Sequence, residues 1–404
     1  MTTSPKDLGY DPLRQIFSFR TVRNKVIFGI DSRMRIGTEI TSLKGKKPLI
    51  VTDSGVAQSG LLNDLREIVE SSGFKTSTFD RLTGEPTLDT VQTAANFVRE
   101  SDCDLIIGLG GGSAMDTAKV AAAMKTNERD VGYYLKKNPF TKARLPLILV
   151  PTTAGTGAEV TADAVMFAEG KKRWISDAQT LADTALVDPV LTISMPPKVT
   201  ASTGLDVLAH AIEGMMVTYS NPMTNTLALK AIQLAFGNLE RAYLNGKDLT
   251  ARYRMMLAST LAGMVNENCP ATFAHSVGYT LTSRYGLPHG ISCGIALPYV
   301  MSYNIALCEE EFAEMVQGLE GARGLNRKDM AAYAVSAVRS LIAAVNVPSN
   351  LQQVGVPKSQ LEELAKELLA EWPRPYNLRQ SSHEDILQLY KDMWEGRLTC
   401  LQGR

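Results

Sequence analysis

The stretch DLIIGLGGGSAMDTAKVAAAMK, residues 104–125, decides the fold. A short apolar run ends in Gly110-Gly111-Gly112-Ser113, and a helical pattern starts at Ala114. With no side chains at the turn, backbone amides and a helix N-terminus can face a phosphate group. Gly108, Gly110, Gly111 and Gly112 give GxGGG rather than G-x-G-x-x-G, so the standard dinucleotide fingerprint does not apply. On its own the loop reads equally as a tight turn.

Working outward, β-branched runs alternate with helical patterns: KPLIVTD (47–53), GLLNDLREIVESSG (60–73), FKTSTFD (74–80), TLDTVQTAANFVRES (87–101), then LPLILV (145–150) beyond the glycine loop. This order predicts βαβ units on a parallel sheet. LPLILV shows no alternation and ends at Pro151, as a strand buried on both faces does. It leads into a second polar loop, Pro151-Thr152-Thr153-Ala154-Gly155-Thr156-Gly157, so two loops leave strand C-terminal ends, where open α/β sheets bind ligands. The threonines also suit helix capping. Asp53 ends the first strand, where a carboxylate accepts hydrogen bonds from a ribose diol and repels a 2′-phosphate, favouring NAD over NADP; an Asp there is also a common turn former.

After Pro196-Pro197 the period changes. Long helical patterns follow, such as VTASTGLDVLAHAIEGMMVTY and KDMAAYAVSAVRSLIAAVNV. The expectation is an α/β domain over 1–197 and an all-helical domain over 198–404.

Lys plus Arg equals Asp plus Glu at 42 each, so no net field gathers nucleic acid or an anionic membrane, and small-molecule chemistry is favoured. Five cysteines, Cys103, Cys269, Cys293, Cys308 and Cys400, follow no disulfide pattern and suit a reducing compartment, the cytoplasm. The opening MTTSPKDLGYDPLRQIF lacks the apolar run of a signal peptide. No later segment is expected to reach the roughly 20 apolar residues that cross a bilayer.

Only four histidines exist, and three of them, His210, His275 and His289, fall within 80 residues of the helical half. Asp206 and His210 are four apart in LDVLAHAIEG, so both project from one helix face, as two ligands of one ion require. His275 lies in another helical pattern; His289, between Pro288 and Gly290, is expected on a loop. Three imidazoles and a carboxylate suit Fe, Zn, Mn or Ni without choosing among them. His383 reads as a helix-start or solvent-facing residue, and Cys269 and Cys293 as small buried side chains beside the histidine motifs.

GGGSAMDTAK (110–119), PTTAGTGAEVT (151–161), DVLAHAIEG (206–214), HSVGYTL (275–281) and GLPHGISCGIALPYVMSYN (286–304) lie in an order that resembles the iron-containing, or group III, alcohol dehydrogenases over roughly residues 20 to 400. The resemblance implies a Rossmann-like NAD(P) domain and a helical domain, an architecture shared with dehydroquinate synthases, with a metal in the cleft between. It places Asp206, His210, His275 and His289 on metal-ligand positions, with Fe(II) the foremost ion. It places Asp53, Gly112, Ser113, Thr152, Thr153 and Lys172 on cofactor-contact positions, and Gly111, Asp116 and Thr156 of the same loops are taken with them. His289 and Tyr279 are the residues set nearest the chemistry.

The implied reaction is hydride exchange between NAD(H) and a small alcohol, diol or hydroxy acid whose oxygen the metal polarises, in a homodimer or larger homo-oligomer. His210 separates the chain from glycerol dehydrogenases, and Asp206 from dehydroquinate synthases, which have glutamate there. A maleylacetate-reductase-like or oxo-acid reductase is the alternative, and a dehydroquinate-synthase-like lyase a remoter one. Two positions depart from the family pattern: Tyr279 stands where many members carry a second histidine, and Glu85 where asparagine is common.

Overall fold

The computed structural model describes residues 17–21 and 24–401; nearly all of the N-terminal stretch read for a signal peptide, residues 1–16, lies outside them. Six parallel strands form one sheet in the order β1-β8-β5-β4-β2-β3. They are β1 (Lys25–Phe28), β2 (Pro48–Asp53), β3 (Ser77–Leu82), β4 (Leu105–Gly110), β5 (Leu147–Pro151) and β8 (Thr184–Val187). Helices cover both faces, so the central strands are apolar throughout. On one face Leu49, Val51, Ile106 and Leu149 pack with α4 (Leu88–Glu100) and α5 (Gly112–Met124). On the other, Ile50, Ile107 and Ile148 pack with α1 (Ile36–Ser42) and α3 (Leu61–Ser71). Two short helices, α2 (Ser54–Gln58) and α6 (Val131–Leu135), complete the helices of this half.

Sequence periodicity placed β2, β4, β5 and the intervening helices within a few residues. The third strand begins later than FKTSTFD suggested, because Phe74 closes the end of α3: its amide donates to Val69 O at 3.3 Å, after Gly73 at φ 93°. Patterning did not anticipate β1, β8 or the antiparallel hairpin β6 (Asp163–Ala168) with β7 (Lys171–Ser176).

Helices make up the rest: α7 (Pro197–Gly214), α8 (Pro222–Leu244), α9 (Leu249–Asn268), α10 (Phe273–Tyr285), α11 (His289–Asn304), α12 (Glu309–Val316), α13 (Arg327–Ala344), α14 (Leu361–Glu371) and α15 (His383–Glu395). One core runs through them, with α7 against α8, α9 and α11. His289 is therefore not on a loop; it opens α11, directly after Pro288. The segment His289–Leu307 also corrects the expectation about apolar length. By length and composition it could cross a membrane, yet most of it is buried among the other helices, as a core helix is.

The loop after β5 rests on the helical body without a gap. A Cβ at Gly157, whose φ is +60°, would stand 2.4 Å from Gly263 Cα on α9. The Thr260 hydroxyl donates to Glu159 Oε1 at 2.8 Å beside it.

Candidate active site

A cleft of about 510 Å³ runs between the strand ends and the helical body. On the sheet side, Gly110 pairs in register with Pro151, and Asp53 follows Thr52, the partner of Leu109. These neighbouring strand ends set the two polar loops side by side, and the Thr152 amide donates to Gly110 O at 3.0 Å. Gly110 adopts φ +148°, and a Cβ there would stand 2.7 Å from Ala114 Cβ, so the chain turns into α5 only without a side chain. Gly112, Ser113, Asp116, Thr156 and Lys172 line the cleft; Asp53, Gly111, Thr152 and Thr153 stand at the strand ends outside its lining.

Several of these candidates are already engaged. Asp53 caps α2 by accepting from the Val56 amide at 2.9 Å. Asp116 accepts from Lys119 Nζ at 3.0 Å and from the Val165 amide at 3.0 Å, tying α5 to the hairpin. Burial pushes its pKa up while Lys119 opposes. Lys172, on β7, pairs with Glu85 Oε2 at 3.1 Å, so Glu85 meets the site through that lysine.

On the helical side α7 presents Asp206 and His210 one turn apart, α10 presents His275 and α11 presents His289. Asp206 Oδ1 lies 3.8 Å from His275 Nε2 and 3.7 Å from His289 Nε2. Donors sharing one ion at about 2.1 Å in a tetrahedral array stand roughly 3.4 Å apart, so these separations fit a divalent metal. Asp206 Oδ1, His275 Nε2 and His210 Nδ1 are also buried without a hydrogen-bond partner, which is costly unless something else satisfies them. The His210 ring is 4.6 Å from that of His275. Burial lowers the His210 pKa to about 4 and that of His289 well below its ordinary value, keeping both as neutral imidazoles, the form a metal requires.

Two neighbours of the cluster had no assigned role in the sequence reading. Glu213 bonds His275 Nδ1 through Oε2, while Oε1 accepts from the Thr272 hydroxyl at 2.6 Å and the Ala274 amide at 2.7 Å. That bond puts the His275 proton on Nδ1 and turns the Nε2 lone pair toward Asp206. The signal was present, since residues 206, 210 and 213 follow helical spacing along one stripe. Cys293 is fully buried as expected, but its Sγ falls with the donor atoms of Asp206, His275 and His289, all within 4.8 Å of one another. Gly278 makes room for it, because a Cβ there would stand 2.5 Å from that sulfur.

Tyr279 lies flat on His289, ring centroids 5.4 Å apart at 14°. Burial pushes its phenol pKa up, with the Arg374 cation opposing, so at neutral pH Tyr279 is a proton-bearing hydroxyl. Trp174 and Trp372 pack around it at 6.5 and 5.5 Å. His383 opens α15, away from this group, as its sequence position suggested.

A parallel sheet and a helical body that share one cleft, with imidazoles and a carboxylate converging in it, define the class: a two-part α/β and helical protein with a candidate metal centre between the parts. Comparison with known proteins gives the family. "Iron-containing alcohol dehydrogenase" matches residues 23–189, and "Fe-containing alcohol dehydrogenase family, C-terminal" matches 200–394. Long-chain-alcohol dehydrogenase 1 of Geobacillus thermodenitrificans is 35% identical over 89% of this chain and 92% of its own length. A crystal structure of 1,3-propanediol oxidoreductase superposes with TM-score 0.89 at 30% identity, covering 94% of this chain and 100% of that one. The sulfoacetaldehyde reductase from Bifidobacterium kashiwanohense in complex with NAD+ gives 0.81 at 27% identity, covering 94% and 99%. The chain belongs to the iron-containing alcohol dehydrogenase family.

Proposed function

We propose that the protein interconverts a small alcohol and its aldehyde or ketone with NAD(H), using one divalent ion held by Asp206, His210, His275 and His289. Fe(II) is the foremost candidate, with Zn(II), Mn(II) and Ni(II) as alternatives. The observation that carries this reading is the convergence of Asp206 Oδ1, His275 Nε2 and His289 Nε2 in the cleft that Gly112 and Ser113 also line. When bound, the ion polarises the substrate oxygen and the nicotinamide exchanges hydride with the adjacent carbon.

The chain's own groups set the rest. Glu213 fixes the His275 tautomer. Gly111, Gly112 and Ser113 at the start of α5, with Thr152, Thr153 and Thr156 opposite, support a pyrophosphate site. Asp53 at the end of β2 supports a ribose contact and a preference for NAD. Asp116 braces that wall, and Lys172 closes it from the hairpin. Tyr279 retains its proton at neutral pH and offers a hydroxyl for the oxygen of an alcohol or carbonyl group. The unpatterned spacing of the cysteines supports a cytoplasmic setting, and we take the assembly to be a homodimer or larger homo-oligomer.

The test strips the protein of metal, refills it separately with Fe(II), Zn(II), Mn(II) and Ni(II), and follows NADH and NADPH oxidation with short aldehydes. Turnover should depend on the added ion, disappear in chelator and favour NADH. Undiminished turnover in chelator would overturn the metal assignment, and equal use of both coenzymes the Asp53 assignment.

A further inference from the structure

The loop Trp372-Pro373-Arg374-Pro375-Tyr376 places one cation in the cleft beside the metal-type donors. Proline on both sides stiffens the chain, and the turn that follows is closed by the Asn377 amide, which donates to Arg374 O at 3.0 Å. The loop is pinned as well: the Ser276 hydroxyl donates to Trp372 O at 2.8 Å, and the Trp372 indole donates to Lys172 O at 3.3 Å. Arg374 Nε donates to Ser276 Oγ at 2.7 Å, immediately after His275, and Nη1 donates to Tyr376 Oη at 2.7 Å. Its Cζ stands 5.7 Å from the centre of the Tyr279 ring, which is itself stacked on His289.

What this guanidinium lacks is an acid in contact, since Glu213 supports its charge only from a distance. Nη2 is buried with no hydrogen-bond partner, and among the described residues no carboxylate pairs with Arg374. The other lining cations are matched, Lys172 by Glu85 at 3.1 Å and Arg20 by Glu267 at 3.0 Å. Glu213, behind His275, is saturated by His275, Thr272 and Ala274. Burial works against this charge, but Tyr376, Tyr279 and Glu213 together outweigh it and hold the guanidinium as a cation, whose free Nη2 edge is the planar group best matched to an oxyanion.

Resting on the reaction proposed above, we infer that the substrate is a short aldehyde or alcohol bearing a fixed anion, a carboxylate or a sulfonate. Its reacting oxygen faces Asp206, His275 and His289 while its acid group pairs with Arg374. Tyr279 lies between the two poles, so the Arg374 side sets which chains fit and the histidine side holds the oxygen. Arg374 is in this reading a specificity-determining residue.

The test compares length-matched substrates on metal-loaded protein with NADH: 4-oxobutanoate against butanal, and sulfoacetaldehyde against propanal. The anionic member of at least one pair should show kcat/KM about 30-fold or more above its neutral partner, and the better pair identifies carboxylate or sulfonate. In Arg374→Met that ratio should fall toward one, and Arg374→Lys should retain part of it. Because Arg374 also braces its loop, the unmodified protein is titrated without added metal, following tryptophan fluorescence. Propanoate or ethanesulfonate should perturb it, and propanamide should not.

Reduction of neutral aldehydes with no anionic preference, and no response to either anion, overturns this inference and leaves the dehydrogenase reading standing. An Arg374→Met variant that raises the KM for NADH with the substrate ratio unchanged overturns it in favour of a cofactor contact. Failure to reduce any aldehyde with any ion rejects the dehydrogenase reading, and the fluorescence titration then decides the anion site alone.

Discussion

Glu213 touches no substrate in the reading above, yet it decides which nitrogen of His275 is free. Its carboxylate takes the Nδ1 proton side and is itself held by the Thr272 hydroxyl and the Ala274 amide. Outer partners of this kind typically change metal affinity by about 10- to 100-fold when removed. Glu213→Ala should weaken metal binding by that factor in a chelator competition, and Glu213→Gln, which keeps an acceptor, by less. Unchanged affinity in both would show that packing alone orients the ring. Asp206, His210 and His275 were legible because histidine is scarce here and helical spacing puts Asp206 and His210 on one face. Glu213 follows the same spacing, but a glutamate on a helix stripe carries no signal of its own until the fold sets it against His275. Arg374 was not legible: it sits on an irregular loop about 100 residues beyond His275, and only the fold brings the two together.

At the scale of elements, the β6–β7 hairpin escaped patterning for a physical reason. Three successive basic residues, Lys171 to Arg173, hide the strand period of KKRWIS, yet Lys172 is buried and Trp174 packs toward Tyr279. Glu169 and Gly170 at positive φ make the tight turn, and Phe167 pairs with Lys172 in register. The hairpin is tethered across the cleft, because Lys171 and Arg173 both pair with Glu371 at the end of α14, Arg173 at 2.7 Å. The hydrogen bond from Lys171, then that from Arg173, holds the Glu371 carboxyl below its ordinary range. With the folded value depressed, this contribution is present above the unfolded carboxylate pKa and is lost as pH falls through the folded one. The pair is partly exposed, so Glu371→Gln should cost no more than about 1 kcal/mol in urea unfolding at pH 7. The difference from the unmodified protein should shrink below about pH 4. The same substitution should raise the KM for NADH, since the strand it frees carries Lys172. A cost that is unchanged on acidification would show that the tether is not electrostatic.

Over the whole molecule the two halves divide the work unevenly. Every proposed metal donor comes from α7, α10 or α11, whereas every proposed phosphate and ribose contact comes from the end of β2, the start of α5, the loop after β5 or the hairpin. The change of hydrophobic period at Pro196-Pro197 falls where α7 begins, although no pattern could show that Gly157 and Gly263 come together without a gap. A ligand that binds only the folded state stabilises it by about 2.7 kcal/mol at 100 times its Kd, and that gain belongs to the elements that hold it. Adding Fe(II) or Zn(II) to stripped protein should therefore slow hydrogen exchange in α7, α10 and α11 before it affects β2 and β4. NAD+ alone should protect the start of α5 and the loop after β5. Uniform protection by either ligand would mean that the halves open as one cooperative unit. Protection by metal confined to the sheet would place the ion elsewhere, because Asp206 Oδ1, His210 Nδ1 and His275 Nε2, three buried donor atoms of the proposed site that have no hydrogen-bond partner, all lie in the helical body.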